Sequence, residues 1–258
     1  MPIIAEPMTT EIAEQTDVDL ESLNAIFETA DAARMVEWAV AQFGAEHTVM
    51  SSSFGAESAM LLHMATRVAP DMKIIFVDTG YLFPETHLFM EQLRRRLNLN
   101  VWAYRTMQDP IAWLAKNGEA DPAIRNDRNI CCAVNKNEPF ERAMAELRPK
   151  AWLRGIRRDQ ASTRKDRQFV EWSRRFNCYA ISPMLKMTRR DIHAYLKQHD
   201  LPYHPLFDKG YASIGCNPIS CTRPIQIGED ARAGRWAGSD KIECGINVDN
   251  NSLDSAQI

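Results

Sequence analysis

HTVMSSSFGAES, residues 47–58, runs directly into AMLLHMATRVA, residues 59–69, and the reading of this stretch decides the fold. The first six residues read as a strand and the small-residue loop SSFGAES as a tight turn. The apolar positions after it recur with helical spacing. Strand, loop and helix in that order is the unit from which parallel sheets are wound. Working outward, Lys73–Asp78 (KIIFVD) is a second, almost wholly apolar strand that ends in Asp78-Thr79-Gly80. A helix is predicted over Pro84–Leu97, with proline at the first position, where its missing N–H costs nothing. Asn100–Arg105, Ala151–Gly155 and Tyr179–Ser182 read as three further strands. Residues 33–44 form a predicted helix closed by Gly44, and Thr188 caps another through Gln198, with Asp191 completing a capping box. Apolar strands alternating with helices imply an α/β fold: a parallel sheet with helices on both faces. In such sheets ligands bind beyond the carboxyl ends of the strands. That rule puts SSFGAES, DTG and RGIRRDQ on one rim.

The chain has 258 residues, 45% hydrophobic and 25% charged, which suits one sizeable domain with appendages. No apolar run approaches the roughly 18 residues of a membrane span, and the N-terminus lacks the pattern of a signal peptide. A soluble, cytoplasmic protein is expected. Residues 1–33 carry eight acids and no base; the overall formal charge of −3 therefore leaves +5 for the remainder. A solvated acidic leader (1–32), a folded body (33–226) and an extended C-terminal segment (227–258) follow from these shifts. A mildly basic body suits a small anionic substrate. Nucleic acid is not an expected partner, because no basic stripe with interleaved aromatics occurs.

Three features carry chemistry. The loop Ser51–Ser58, with Ser53, Gly55, Glu57 and Ser58, lets backbone amides approach an anion beside a helix N-terminus. It lacks the glycine spacing of dinucleotide folds and the lysine of a Walker loop, and by itself it reads equally as a plain turn. Residues 154–175 hold eight bases against three acids. Within them Arg157 and Arg158 follow a buried strand onto the ligand rim, and their guanidinium forks suit sulfate or phosphate. Six cysteines in a chain of this kind point to metal or redox chemistry rather than disulfides. The pairs Cys131-Cys132 and Cys216…Cys221 offer four thiolates, enough for a 4Fe–4S cluster or, less comfortably for adjacent residues, zinc. Cys178, at a strand start, reads as a buried inert residue. Cys244, in the polar stretch KIECGIN, reads as an exposed reactive thiol activated by nearby cations, with Arg232 and Arg235 the nearest in sequence.

Together SSFGAES, VDTGYLFPET, CCAVNKNEPF, GIRRDQASTR, YHPLFDKGYASIGC, CTRP, RAGRW and ECGIN resemble, over roughly residues 33–247, the adenylyl-sulfate and phosphoadenylyl-sulfate reductase family. The resemblance implies an adenine nucleotide α-hydrolase-like sheet and a nucleotide-binding reductase domain with an iron–sulfur site over 33–226. It also implies a mobile tail carrying the nucleophile. Cys131, Cys132, Cys216 and Cys221 match the cluster cysteines of the branch that mostly uses adenylyl sulfate. Cys244 matches the nucleophile, Lys136 a lysine between cluster and substrate, Arg157 and Arg158 pocket arginines, and Arg232 and Arg235 a pair that grips nucleotide. Two departures stand out: the second cysteine pair is two residues longer than the family's Cys-x-x-Cys, and Asn247 replaces the usual histidine.

The activity so implied is thioredoxin-dependent reduction of adenylyl sulfate to sulfite and AMP in sulfate assimilation, through an S-sulfocysteine on Cys244. The implied partners are adenylyl sulfate and thioredoxin or a similar dithiol protein, with a homo-oligomer left open. Phosphoadenylyl sulfate is the alternative substrate. A tRNA-thiolating pyrophosphatase would need Ser-Gly-Gly-x-Asp-Ser where this chain has Ser-Phe-Gly-Ala-Glu-Ser. A cluster-bearing redox sensor leaves the rim arginines without a role.

Overall fold

The computed structural model describes residues 18–108, 128–217, 221–237, 241 and 243–247. The first 17 residues of the acidic leader and the tail beyond Asn247 lie outside them. Among the described residues the strands are β1 (Thr48–Ser51), β2 (Lys73–Val77), β3 (Asn100–Tyr104), β4 (Ala151–Arg154), β5 (Val170–Ser173) and β6 (Cys178–Ile181). They form one sheet in the order β3-β2-β1-β4-β6-β5. Every neighbouring pair is parallel except β5 with β6. The chain winds from β1 through β2 to β3 in one direction, then returns to lay β4 on the other side of β1. The crevice where the winding reverses is where such sheets bind ligands.

The strands β1, β2, β4 and β6 are buried on both sides because their alternate residues face different helices. Met50, Ile74, Phe76, Leu153 and Ile181 pack with α2 (Ala32–Phe43), α3 (Ser58–Val68), α4 (Pro84–Leu97) and α7 (Arg189–Gln198). On the opposite face Val49, Ile75, Trp152 and Ala180 pack with Phe140, Ala143 and Met144 of α6 (Glu138–Leu147). Cys178 is fully buried in this second layer, as expected of an inert core cysteine. Helix starts follow their local chemistry. Pro84 opens α4, Asp31 caps α2, and the Thr188–Asp191 box caps α7 with both reciprocal bonds present.

Two expectations change. The sheet is not wholly parallel: β5 forms a hairpin with β6. Its four residues, Val-Glu-Trp-Ser, are too short and too mixed in polarity to stand out from the basic stretch around them. The described part of the acidic leader is helical, and its acids, Asp19, Glu21, Glu28 and Asp31, remain exposed. Residues Leu20–Phe27 form α1, capped by Asp19, with Phe27 buried in the core. Asn24 of α1 uses its amide like a further strand. Its Nδ2 donates to Val170 O at 2.9 Å, and its Oδ1 accepts from Val170 N at 2.9 Å. This covers part of the open edge of β5, which would otherwise present unpaired backbone groups.

α5 (Arg128–Cys132) leads through a π-helical turn, Ala133–Asn137, into α6. Pro139 near the start of α6 has no N–H to give the carbonyl four residues back, and its ring crowds that carbonyl. The wider π turn relieves this conflict, and such turns concentrate at functional sites. It carries Lys136.

Candidate active site

A cavity of about 240 Å³ opens at the crevice between the carboxyl ends of β1 and β4. One wall is the loop after β1. Its backbone extends the sheet, with Ser52 N donating to Ile75 O at 3.0 Å. Phe54 adopts a left-handed conformation (φ 48°), which is unusual for a bulky residue and costs of order 1–3 kcal/mol. The ring offsets this by complete burial, edge-on to Phe76 at 5.3 Å. Phe54 therefore pins a loop whose remaining side chains are small. Ser53, Gly55, Glu57 and Ser58 all line the cavity as expected. Ser58 Oγ donates to Gly55 O at 2.9 Å, which tightens the turn.

Arg157 lines the same wall and is buried, 3.0 Å from Glu57 and 3.0 Å from Asp159. Glu57 also receives Arg189 at 3.3 Å. Arg158 is a correction. It is not in the cavity lining; its guanidinium lies over the Phe169 ring and donates to Glu28 Oε1 at 2.9 Å and to Arg167 O at 3.1 Å. Consecutive residues leaving a strand point to opposite sides, so only one of the two arginines faces the ligand rim.

The opposite wall comes from the π turn and the C-terminal segment. Lys136, Cys216, Arg232, Arg235, Trp236 and Cys244 meet there. The segment is tied down rather than free. Arg223 N donates to Gly234 O at 2.9 Å and Trp236 N to Cys221 O at 3.2 Å. Arg235 donates to Ile214 O at 3.0 Å and stacks on Trp236 with its guanidinium 4.6 Å from the ring centroid. Gly215 lies under that guanidinium, where any Cβ would collide with it. Cys244 is buried, only 8% exposed, which corrects the expectation of a surface thiol.

The charge around Cys244 also differs from expectation. Burial alone would raise its pKa, but Lys136, by charge and hydrogen bond, and the Ile246 backbone N–H outweigh it and bring the thiol below its ordinary value. Burial opposes the Lys136 charge as well, yet the thiols of Cys244, Cys132 and Cys216 hold that ammonium above its usual pKa. Lys136, and not the arginines nearer in sequence, is therefore the chief partner of the thiol. Burial pushes Arg232 down to about 10 despite the opposing pull of Glu243.

Of the cysteines expected to hold a cluster, Cys132, Cys216 and Cys221 lie on the Lys136 and Cys244 side of the cavity. Asn135 Nδ2 lies 3.6 Å from Cys131 Sγ. Cys132 feels Cys244 and Cys216, and burial raises its pKa despite Lys241 and Lys136. Cys221 packs with Trp236 and Cys244, with Cys216 against them, and Thr79 Oγ1 lies 3.4 Å from Cys216 Sγ. Among the described residues no three His, Cys, Asp or Glu side chains are arranged to hold a metal ion. Cys132 and Cys221 thus lie beside Cys216 and Cys244 on this wall, and no chemistry is routed through a metal group.

Several cavity residues were not singled out from the sequence, among them Gln160, Arg164, Arg189 and Trp236. Arg164 belongs to the basic stretch already noted, and Trp236 to the motif RAGRW. What ties them to the site is distance across the fold, which spacing along the chain does not encode.

A family model described as the phosphoadenosine phosphosulfate reductase domain matches residues 47–224. The chain is 44% identical over 229 residues to a Xylella fastidiosa protein named phosphoadenosine 5'-phosphosulfate reductase, covering 89% of this chain and 94% of that one. It is 36% identical over 236 residues to a Halalkalibacterium halodurans protein named adenosine 5'-phosphosulfate reductase, covering 89% and 97%. A crystal structure of Candida auris phosphoadenylyl-sulfate reductase in a phosphate complex superposes with a TM-score of 0.68 at 23% identity, over 78% of this chain and 96% of that one. Candida glabrata FMN adenylyltransferase shares the sheet at a TM-score of 0.53. The chain belongs to the phosphoadenosine phosphosulfate reductase domain family, and it is an enzyme of that class. Among the described residues no helix is long and apolar enough to cross a membrane.

Proposed function

We propose that the protein reduces adenylyl sulfate to sulfite and AMP, using thioredoxin or a similar cytoplasmic dithiol protein. The observation that carries this reading is Cys244, a thiol of lowered pKa held by Lys136 at the ligand crevice of the sheet. The Cys244 thiolate attacks the sulfuryl sulfur; an S–S bond forms as the S–O bond to AMP breaks. Arg157, Arg232 and Lys136 stabilise the charge moving onto the departing phosphate. A dithiol then attacks Cys244 Sγ, and sulfite leaves with the electron pair of the S–S bond. The dithiol's second thiol resolves the mixed disulfide and restores the Cys244 thiolate. The dithiol thus supplies the two electrons of the reduction, and one hard step becomes two displacements.

The seated thiol is too buried for a protein partner to reach, so the tail leaves the cavity between the two half-reactions. Support for adenylyl sulfate comes from the cysteine signature, Cys131-Cys132 with Cys216 and Cys221. Phosphoadenylyl sulfate is the second reading, favoured by the name of the 44% identical relative. The test is sulfite release from each nucleotide, supplied with reduced thioredoxin to anaerobically purified protein. Turnover of neither nucleotide sinks both readings. Iron and acid-labile sulfide assays on the same preparation decide separately whether Cys131, Cys132, Cys216 and Cys221 hold a 4Fe–4S cluster.

A further inference from the structure

We propose that Glu243 is the positioning residue that seats Cys244 against Lys136, and that Arg164 of the basic stretch is its anchor. The inference rests on the reading of Cys244 as nucleophile. Glu243 precedes Cys244, and its Oε1 accepts the Cys244 backbone N–H at 2.8 Å, so the carboxylate fixes the peptide that carries the thiol. The same carboxylate receives Arg164 Nε at 2.6 Å on Oε2 and Arg164 Nη2 at 2.8 Å on Oε1. This is the paired fork geometry that gives direction as well as attraction. Arg232 adds a bond at 3.2 Å and Thr163 Oγ1 one at 3.4 Å. Both side chains of the Arg164–Glu243 pair are only 7% exposed, so water does not screen them as it would a surface pair.

The rest of the basic stretch holds the tail through its backbone. Arg175 donates to Gly245 O, and Arg167 donates to Asn247 O at 2.6 Å. Main-chain carbonyls are available whatever the sequence, so the Glu243 side chain is what makes this seating specific at the thiol. On the other side of the thiol, Gly245 lies against the Asn137 amide, where a Cβ would collide with it. Asn137 neighbours Lys136 on the π turn. Cys244 is therefore held between a carboxylate fork and a close backbone approach, and Lys136 sits where these two constraints direct Sγ. Glu243 remains ionised in this setting: burial alone would raise its pKa, but Arg164 and Arg232 bring it to about 2. Arg232, which the resemblance assigned to the nucleotide, is here engaged with the tail.

The test uses the full chain and reads Cys244 alkylation by iodoacetamide against pH, followed by peptide mass spectrometry. It compares wild type with E243Q, R164A and the conservative E243D. In E243Q and R164A alkylation at pH 9 rises by about tenfold as the thiol becomes accessible, and in R164A, which keeps the Glu243 charge that itself raises the Cys244 pKa, the titration midpoint moves up toward that of an ordinary thiol. At pH 9 the double variant E243Q/R164A behaves like either single variant, since both break one pair. E243D, which keeps the charge but shortens the reach, falls in between. In the sulfite assay E243Q lowers kcat by about tenfold with KM within about threefold, as expected when geometry rather than binding is lost. Alkylation profiles of E243Q and R164A that superimpose on wild type overturn the proposal. Absence of sulfite release from the wild type would overturn the reductase reading alone, since alkylation does not require turnover.

Discussion

The two walls of the cavity are built on different physical terms. The wall after β1 is set by the sheet. Ser51 lies opposite Arg154 in the parallel register, so the loop and the rim around Arg157 are placed by backbone hydrogen bonds and by the buried ring of Phe54. The described residues of the wall between 221 and 247 have little regular structure beyond a short 3₁₀ turn at Gly245–Asn247. Side chains hold it: arginines 164, 167 and 175 on the tail, and Arg235 on the carbonyl of Ile214. A wall pinned by a sheet has one position. A wall pinned by ion pairs and hydrogen bonds can be released and reset, which a nucleophile serving a nucleotide and then a protein dithiol requires.

The sharpest way to break this contrast is Cys244→Ser. Sulfite release falls by at least about 10⁴-fold, as for removal of a nucleophile, while nucleotide binding measured by equilibrium dialysis stays close to wild type. Label from radioactive adenylyl sulfate remaining on the variant chain would refute the assignment. Lys136→Ala comes next. Turnover falls by about 10²–10³-fold, and the Cys244 alkylation midpoint rises because the cation that lowers it is gone.

A smaller effect separates the two rim arginines. Arg157→Ala leaves Glu57 without its buried partner and costs about 3 kcal/mol in urea unfolding. Arg158→Ala, whose partner Glu28 is half exposed, costs under about 1 kcal/mol. Equal losses for the two would mean that both face the interior. The last prediction concerns pH. Burial holds His204 down to about 4, and its Nδ1 accepts from Leu206 N at 3.2 Å, so Nε2 carries the proton toward Thr86 Oγ1. The unfolded chain binds this proton more readily, so the contribution of His204 to stability is complete above about pH 6.5 and is lost as pH falls toward 4. The contribution of Glu243 is complete above about pH 4.5, its ordinary value, and is lost as pH falls toward 2. Urea midpoints across pH 7 to 4 should therefore fall in wild type and flatten in His204→Gln. An unchanged slope in the variant would remove His204 from this account.

Much of the sheet wall was legible along the chain. The strands around Met50, Ile75, Leu153 and Ala180 announce themselves by apolar character, because burial on both faces demands it. The short β5 was not legible, because Glu171 answers to Arg154 across the sheet rather than to any local pattern. Nor was α1, since acids that read as solvated serve as its cap and first turn, and Asn24 reaches Val170, 146 residues away. The identity of the thiol's partner was also hidden: Arg232 and Arg235 are nearer in sequence, but Lys136 is nearer in charge.

What the sequence determined by itself is the alternation of strands and helices, the position of the ligand rim and the chemical inventory of that rim: thiols, arginines and a small-residue loop. These follow from local period and residue type, which act over a few positions. Only the tertiary structure decided which groups meet. Arg164 with Glu243 spans 79 residues and Lys136 with Cys244 spans more than a hundred. Charge interactions depend on separation in space and on the burial around them, and neither quantity exists until the chain has folded.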